Sequence, residues 1–205
     1  MQLAELAQKR QEPARGIRFI KRYAPDYLYL PMDSSTQRLW RLAFPLPYWD
    51  ALQRSARAQN IDPYLFAALV RQESEFDTNV VSGANAYGLS QVLPPTGRML
   101  SRKLHVGRFR ADLLFNPDVN LRIGTYYLRS LVDSLGGRWD AALASYNAGK
   151  SRVVDWLKRA QYQDSAEFVE SIPITETRNY VQSIFRNADI YRRLYAPASQ
   201  SRNSD

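Results

Sequence analysis

Proline-marked helix starts, apolar residues recurring at three- and four-residue intervals, and a near absence of alternating strand patterns predict an all-α protein of several short, unequal helices. Residues 1–47 open with two short helical patterns, Leu3–Gln11 and Ile17–Tyr23, then pass through turns marked by Pro25, Pro31, Pro45 and Pro47. Too few apolar residues recur there for a separate core, so this stretch reads as a helical adaptor. At Asp62-Pro63 an N-cap residue precedes proline at the first helical position, a strong start signal. Phe66, Leu69, Val70 and Glu73 then fall on one face of that helix. Pro94-Pro95-Thr96 opens another helix. Asn116-Pro117-Asp118 begins a long one with the apolar stripe Leu121, Gly124, Leu128, Leu131, Val132 and Leu135, closed by Gly136-Gly137. Trp139–Tyr146 is a short helix that stops at Asn147-Ala148-Gly149, and Ser151–Arg159 is another. The last long helix, from about Glu176 to Tyr195, turns Val181, Ile184, Phe185, Ala188, Tyr191 and Tyr195 inward. The helical domain thus covers 48–196, and the polar tail 197–205 reads as disordered.

A chain of 205 residues fits one compact domain with an appendage, and its 45% hydrophobic content is enough for a real core. Thirteen tyrosines and four tryptophans supply either a sugar-binding groove or simply a tyrosine-rich core. Twenty-eight basic against twenty acidic residues give a net charge of +8, which suits an anionic partner or working surface. The arginines read as scattered, with no basic run and no nucleic-acid-binding motif, so nucleic acid is not the expected partner. The absence of cysteine excludes disulfides and thiolate metal sites. His105 is the single histidine and reads as a solvated loop residue, which argues against zinc and against a Ser-His-Asp centre. No run approaches the length of a membrane span. MQLAELAQKR lacks the apolar region of a signal peptide, so the chain is either cytosolic or a fragment whose targeting segment lies upstream.

The chemistry concentrates in RQESEFDTNVVSGANAYGLSQ (71–91). If the face bearing Phe66, Leu69 and Val70 is buried, desolvation raises the pKa of Glu73 above its ordinary value near 4.3 and keeps a proton available. Glu73 is then either an acid poised for glycosidic-bond chemistry or a buried structural carboxyl bonded to a loop. Glu75 points about 200° away around the helix and reads as an exposed charge. Gly83 and Gly88 give the following loop backbone freedom. Ser82, Asn85, Ser90 and Gln91 bring hydroxyls and amides that suit acetamido sugars, or else cap their own turn.

Four segments in order carry a resemblance: RQESEFDTNVVSGANAYGLSQVLPPTG (71–97), NPDVNLRIGTYYL (116–128), AALASYNAGKSRVVDWL (141–157) and ESIPITETRNYV (170–181). Together they resemble the catalytic domain of the soluble lytic murein transglycosylases over about residues 45–195. The lead-in LAFPLPYWD (42–50) is similar to that of the long periplasmic members. The resemblance implies a lysozyme-like multi-helix catalytic domain, with 1–47 the remnant of an upstream helical solenoid. It implies Glu73 as the sole catalytic acid and base. Ser82, Gly88, Leu89, Gln91, Tyr146, Asn147 and Glu176 are implied to line the substrate groove. Ser90 stands where the family usually has methionine, and Pro95 where glycine is common. Loss of the long side chain at Ser90 bears on substrate fit.

By the same resemblance, Glu73 protonates the bond between N-acetylmuramic acid and N-acetylglucosamine. It then takes the proton from the muramyl C6 hydroxyl as a 1,6-anhydro ring closes. Ordinary glycosidases need a second carboxylate, ~5–5.5 Å away in retaining enzymes and ~6.5–9.5 Å in inverting ones. Asp77 and Asp140 are candidates only by proximity to motifs. The alternatives are a lysozyme-type muramidase that uses water and a non-catalytic wall-binding module. The implied partners are peptidoglycan glycan strands and other cell-wall enzymes, with no cofactor or metal. The expected state is a monomer in the periplasm or cell envelope.

Overall fold

The computed structural model describes residues 1–159, 162 and 164–197. Among them the fold is all-helical: α1 (Gln2–Lys9), α2 (Pro13–Tyr23), α3 (Gln37–Ala43), α4 (Trp49–Arg57), α5 (Pro63–Ser74), α6 (Pro94–Lys103), α7 (Pro117–Ser134), α8 (Trp139–Ala148), α9 (Lys150–Leu157), α10 (Ser165–Ser171) and α11 (Thr175–Tyr195). Single 3-10 turns lie at Tyr27–Tyr29 and Ala111–Phe115. Extended pairing is limited to isolated bridges of Tyr87 with Val81 and with Val92. The predicted tail falls outside the described residues except for its first position.

The start signals work as their chemistry requires. Asp62 accepts the backbone N–H of Tyr64 ahead of Pro63, and Asn116 accepts that of Val119 ahead of Pro117. Three helices escaped the sequence reading: α3 and α4 sit in aromatic and proline-rich sequence, and α10 is only seven residues long. Short helices carry too few turns for a periodic pattern to stand out.

At the centre α5 packs along α11. Leu65, Phe66, Ala67, Ala68, Leu69 and Val70 are all buried, so α5 is enclosed on every side rather than on the single face its periodicity suggested. Residues 1–47 share this core: Ile17, Ile20, Tyr27, Trp40 and Phe44 join the cluster that holds α5, α8 and α11. Arg71, only 4% exposed, ties the two parts together. Its Nε donates to the Ala43 carbonyl at 3.1 Å and its Nη2 to the Tyr27 hydroxyl at 3.0 Å, while its guanidinium lies 4.1 Å from the Phe44 ring centre. Glu75 is not the free surface charge its helical position suggested. It adopts a left-handed conformation that ends α5, and pairs with Arg18 and Lys21 of α2.

A second, smaller core of Val92, Leu100, Leu114 and Ile123 sits between α6, the 111–115 turn and the first half of α7. Tyr127 packs against both cores, so α7 forms the spine between a large lobe and a small one.

Candidate functional site

Glu73 lies in the last turn of α5, where the chain turns back sharply through two successive left-handed residues, Glu75 (φ 52°) and Phe76 (φ 66°). Ser74 locks that turn, its buried Oγ donating to the Leu89 carbonyl at 2.7 Å and accepting the Phe76 N–H at 3.1 Å. The loop carrying Leu89 is thereby fastened beside Glu73.

Asn120 of α7 holds the same loop from below and is fully buried. Its Nδ2 donates to the carbonyls of Tyr87 and Leu114, each at 2.8 Å, and its Oδ1 accepts the backbone N–H of Ser90 at 2.8 Å and the Ser90 hydroxyl at 2.6 Å. Every polar group of a buried amide is used, which makes the attachment costly to break. Two glycines permit the close approach. A Cβ on Gly88, whose φ is +69°, would lie 2.2 Å from the Leu114 carbonyl, and one on Gly124 would lie 2.2 Å from Ser90 Oγ. Ser90 is fully buried against α7, so its side chain does not face the groove as the comparison with methionine suggested. Its exposure to ligand is nil; what it serves is the seating of the loop on Gly124.

The loop, α8 and α11 converge on Glu73. The Tyr180 hydroxyl donates to Glu73 Oε1 at 2.5 Å. The Tyr146 hydroxyl donates to the Ser90 carbonyl at 2.8 Å, and its ring lies 5.2 Å from that of Tyr127. Burial pushes the Glu73 carboxyl up to about 7, with the Tyr180 hydrogen bond pulling the other way. No charged neighbour contributes to that shift. Burial, reinforced by the negative Glu73, holds both phenols well above their ordinary range, so Tyr146 and Tyr180 remain neutral donors. The arrangement can therefore hold or release one proton near neutral pH at a carboxyl whose second oxygen takes no hydrogen bond among the described residues.

The other sequence candidates divide. Leu89 is buried and Gly88 supplies the turn. Gln91 spends its Nε2 inside the loop, on the carbonyls of Gly88 (2.9 Å) and Val80 (3.3 Å). Asn147 at the end of α8 accepts from Thr177 Oγ1 of α11 at 2.6 Å. Ser82 Oγ accepts the Ala86 N–H at 3.1 Å, the self-capping arrangement, with no bond to Glu73. Glu176 is exposed in the first turn of α11, one helical turn before Tyr180. Asp77 faces Arg18, and Asp140 is 3% exposed and paired with Arg138 at the far end of α8 from Tyr146. Neither offers Glu73 a partner carboxylate. Among the described residues no group of three or more His, Asp or Glu side chains comes together to hold a metal.

Sequence reasoning did not single out Tyr180, Asn120 or Ser74. Tyr180 had a signal, since it follows Glu176 by four and so shares its helix face. Asn120 is legible as a polar residue one turn ahead of Gly124 on the buried side of an apolar helix. Replacing Tyr180 with Phe removes the one interaction that favours the Glu73 anion. The Glu73 carboxyl is then expected to titrate above about 7, as read by carboxyl ¹³C NMR across pH, and an unchanged midpoint would rule out the contact.

The transglycosylase SLT domain model matches residues 50–169 of the chain. The soluble lytic murein transglycosylase of Salmonella typhimurium is 36% identical over 151 residues, covering 73% of this chain and 23% of that protein. The membrane-bound lytic murein transglycosylase D of Escherichia coli is 30% identical over 166 residues, covering 80% of this chain and 35% of that protein. Among solved structures, an inactive glutamate-to-glutamine mutant of the lytic transglycosylase Slt from Pseudomonas aeruginosa superposes with a TM-score of 0.82 at 32% identity, covering 95% of this chain and 30% of that one. The 70 kDa soluble lytic transglycosylase of Escherichia coli superposes with a TM-score of 0.79 at 30% identity, covering 94% and 30% of the two chains. The chain thus spans only about a quarter to a third of the length of these relatives.

Proposed function

Because the chain belongs to the SLT transglycosylase family, we propose that it cleaves the β-1,4 bond between N-acetylmuramic acid and N-acetylglucosamine in peptidoglycan, leaving a 1,6-anhydromuramyl end. The observation that carries the reading is a half-buried Glu73 whose carboxyl is raised to about 7 with no charged neighbour to share its task. A carboxyl with that midpoint is present in both forms at neutral pH, as a group that must act first as acid and then as base requires.

In the first step Glu73 gives its proton to the glycosidic oxygen as the bond from the muramyl C1 breaks. In the second, the Glu73 carboxylate removes the proton from the muramyl C6 hydroxyl while that oxygen bonds to C1. The proton lost in the first step is regained in the second, and water is not consumed. The nucleophile is part of the substrate, so its effective concentration is high without a second protein carboxylate. Tyr180 holds Oε1 and leaves the other oxygen to meet the sugar. Tyr146, with its hydroxyl spent on the Ser90 carbonyl, offers ring surface above the loop. Gln91, Asn147, Ser82 and Glu176 form the groove around them in this reading, with Gly88 and the buried Leu89 shaping the loop behind it. Residues 1–47 then continue from a longer upstream helical region, and the protein works in the periplasm or cell envelope. No described helix is long and apolar enough to cross a membrane.

Mass spectrometry of fragments released from purified peptidoglycan tests the reading. The expected fragments end in 1,6-anhydromuramic acid. Reducing muramic ends would assign the site to hydrolysis, and no release at all would leave a wall-binding module.

A further inference from the structure

The sequence gives the impression of scattered arginines, and the fold gathers a set of them. The small-lobe segment 93–126 contains Arg98, Arg102, Lys103, Arg108, Arg110 and Arg122 against only Asp112 and Asp118, so it accounts for +4 of the chain's +8 on about a sixth of its length. Both acids are engaged, Asp112 with Arg110 and Asp118 with Arg54 of the large lobe. Arg98, Arg102, Lys103 and Arg108 are exposed and have no ion-pair partner among the described residues.

Three of these cations share one face. On α6 the buried side is Gly97, Leu100 and Ser101, and the outward side is Pro95, Arg98, Met99, Arg102 and Lys103. The helix starts two residues after Val92, which pairs with Tyr87 of the loop, and four after Ser90, whose carbonyl takes the Tyr146 hydroxyl. The basic helix therefore follows directly in the chain from the loop fastened beside Glu73. Its apolar content is small: Met99 (54% exposed) and Leu93 (44%) are single residues set among cations. That composition suits a polar polyanion rather than insertion into a bilayer.

We propose that the exposed face of α6, with the turn carrying Arg108, is a docking surface for the carboxylates of peptide side chains on peptidoglycan, holding the protein on the polymer while the groove engages a glycan strand. The proposal rests on the reading of Glu73 given above and supplies the charge-based contact which that reading lacks. A patch of several unpaired cations raises the local concentration of an anionic polymer by 10-fold or more at low ionic strength, and salt removes most of that gain.

The test measures retention of the Glu73→Gln chain on insoluble sacculi, so that the polymer is not consumed. Charge reversal at Arg98, Arg102 and Lys103 (each →Glu) is expected to lower retention at about 0.05 M salt by roughly tenfold or more, with the three Gln substitutions in between. Raising salt to about 0.5 M, or amidating the sacculus carboxyls, should bring the unreversed protein to the same low level. Retention that ignores charge reversal or carboxyl amidation overturns the proposal. So does preferential binding to anionic phosphatidylglycerol vesicles over sacculi. Should native chain release no 1,6-anhydro product, the reading of Glu73 fails, while the retention measurements still decide the fate of the α6 surface.

Discussion

Replacing Glu73 with glutamine is expected to abolish glycan cleavage while leaving the helical fold intact. The amide keeps the size of the carboxyl and an oxygen to accept the Tyr180 hydroxyl, so the contact that positions the side chain persists. What disappears is the proton. A positioned acid or base contributes roughly 10²–10⁴ in rate, and here one group serves in both steps, so a loss of roughly 10³ or more is expected. The measurement is the initial rate of 1,6-anhydromuramyl release by native and Glu73→Gln protein at equal concentration. Turnover within about tenfold of native would place the acid elsewhere.

The same substitution should make the protein more stable, but only above acidic pH. Glu73 has its carboxyl raised in the folded state from 4.5 to about 7. Below the lower value both folded and unfolded chains carry the proton and the group costs nothing. Between the two values the unfolded chain gives up its proton while the folded one retains it, and stability falls as pH rises. Above about 7 both are ionised and the full cost of a desolvated anion is present. At about 1.4 kcal/mol per pKa unit the cost reaches at most about 3.5 kcal/mol, an upper limit because the residue is only half-buried and water screens its open side. Urea unfolding should therefore show Glu73→Gln and native protein equal near pH 4 and the variant ahead by up to that amount near pH 8. Equal stability at both would mean that Glu73 is solvated in the folded chain.

This cost also explains the surroundings of Glu73. A carboxyl that destabilises the fold persists only in a strongly determined setting. Ser74 pins its turn, Asn120 and the notch at Gly124 seat the facing loop, and Arg71 anchors the other side of α5 to Tyr27, Ala43 and Phe44. The position of Glu73 is thus held by side chains that are themselves buried.

Much of the site was legible because it is written in local signals. Asp62-Pro63 and Asn116-Pro117 mark helix starts through chemistry confined to a few neighbouring residues, and both were read correctly. Four ordered segments drew attention to Glu73 and Tyr146, which the fold brings close enough to influence each other's titration. Other residues were misread because their role depends on partners distant in sequence. Glu75 looked like a free charge until α2 supplied Arg18 and Lys21 from 57 and 54 positions away. Ser90 looked like a change in the groove, and instead fills a notch made by a glycine on α7.

By itself, the sequence determined the helical class and the proline-marked helix starts, and set Glu73 on the apolar face at the end of its helix. Those properties follow from periodicity, capping and residue type, which act over a turn or two of chain. Only the tertiary structure decided that Glu73 is short of solvent, that Tyr180 touches it from 107 positions away, and that it has no carboxylate partner among the described residues. Desolvation and hydrogen bonding depend on what surrounds a group in space. Here those surroundings come from α5, α8, α11 and a loop seated on α7, elements that meet only when the chain has folded.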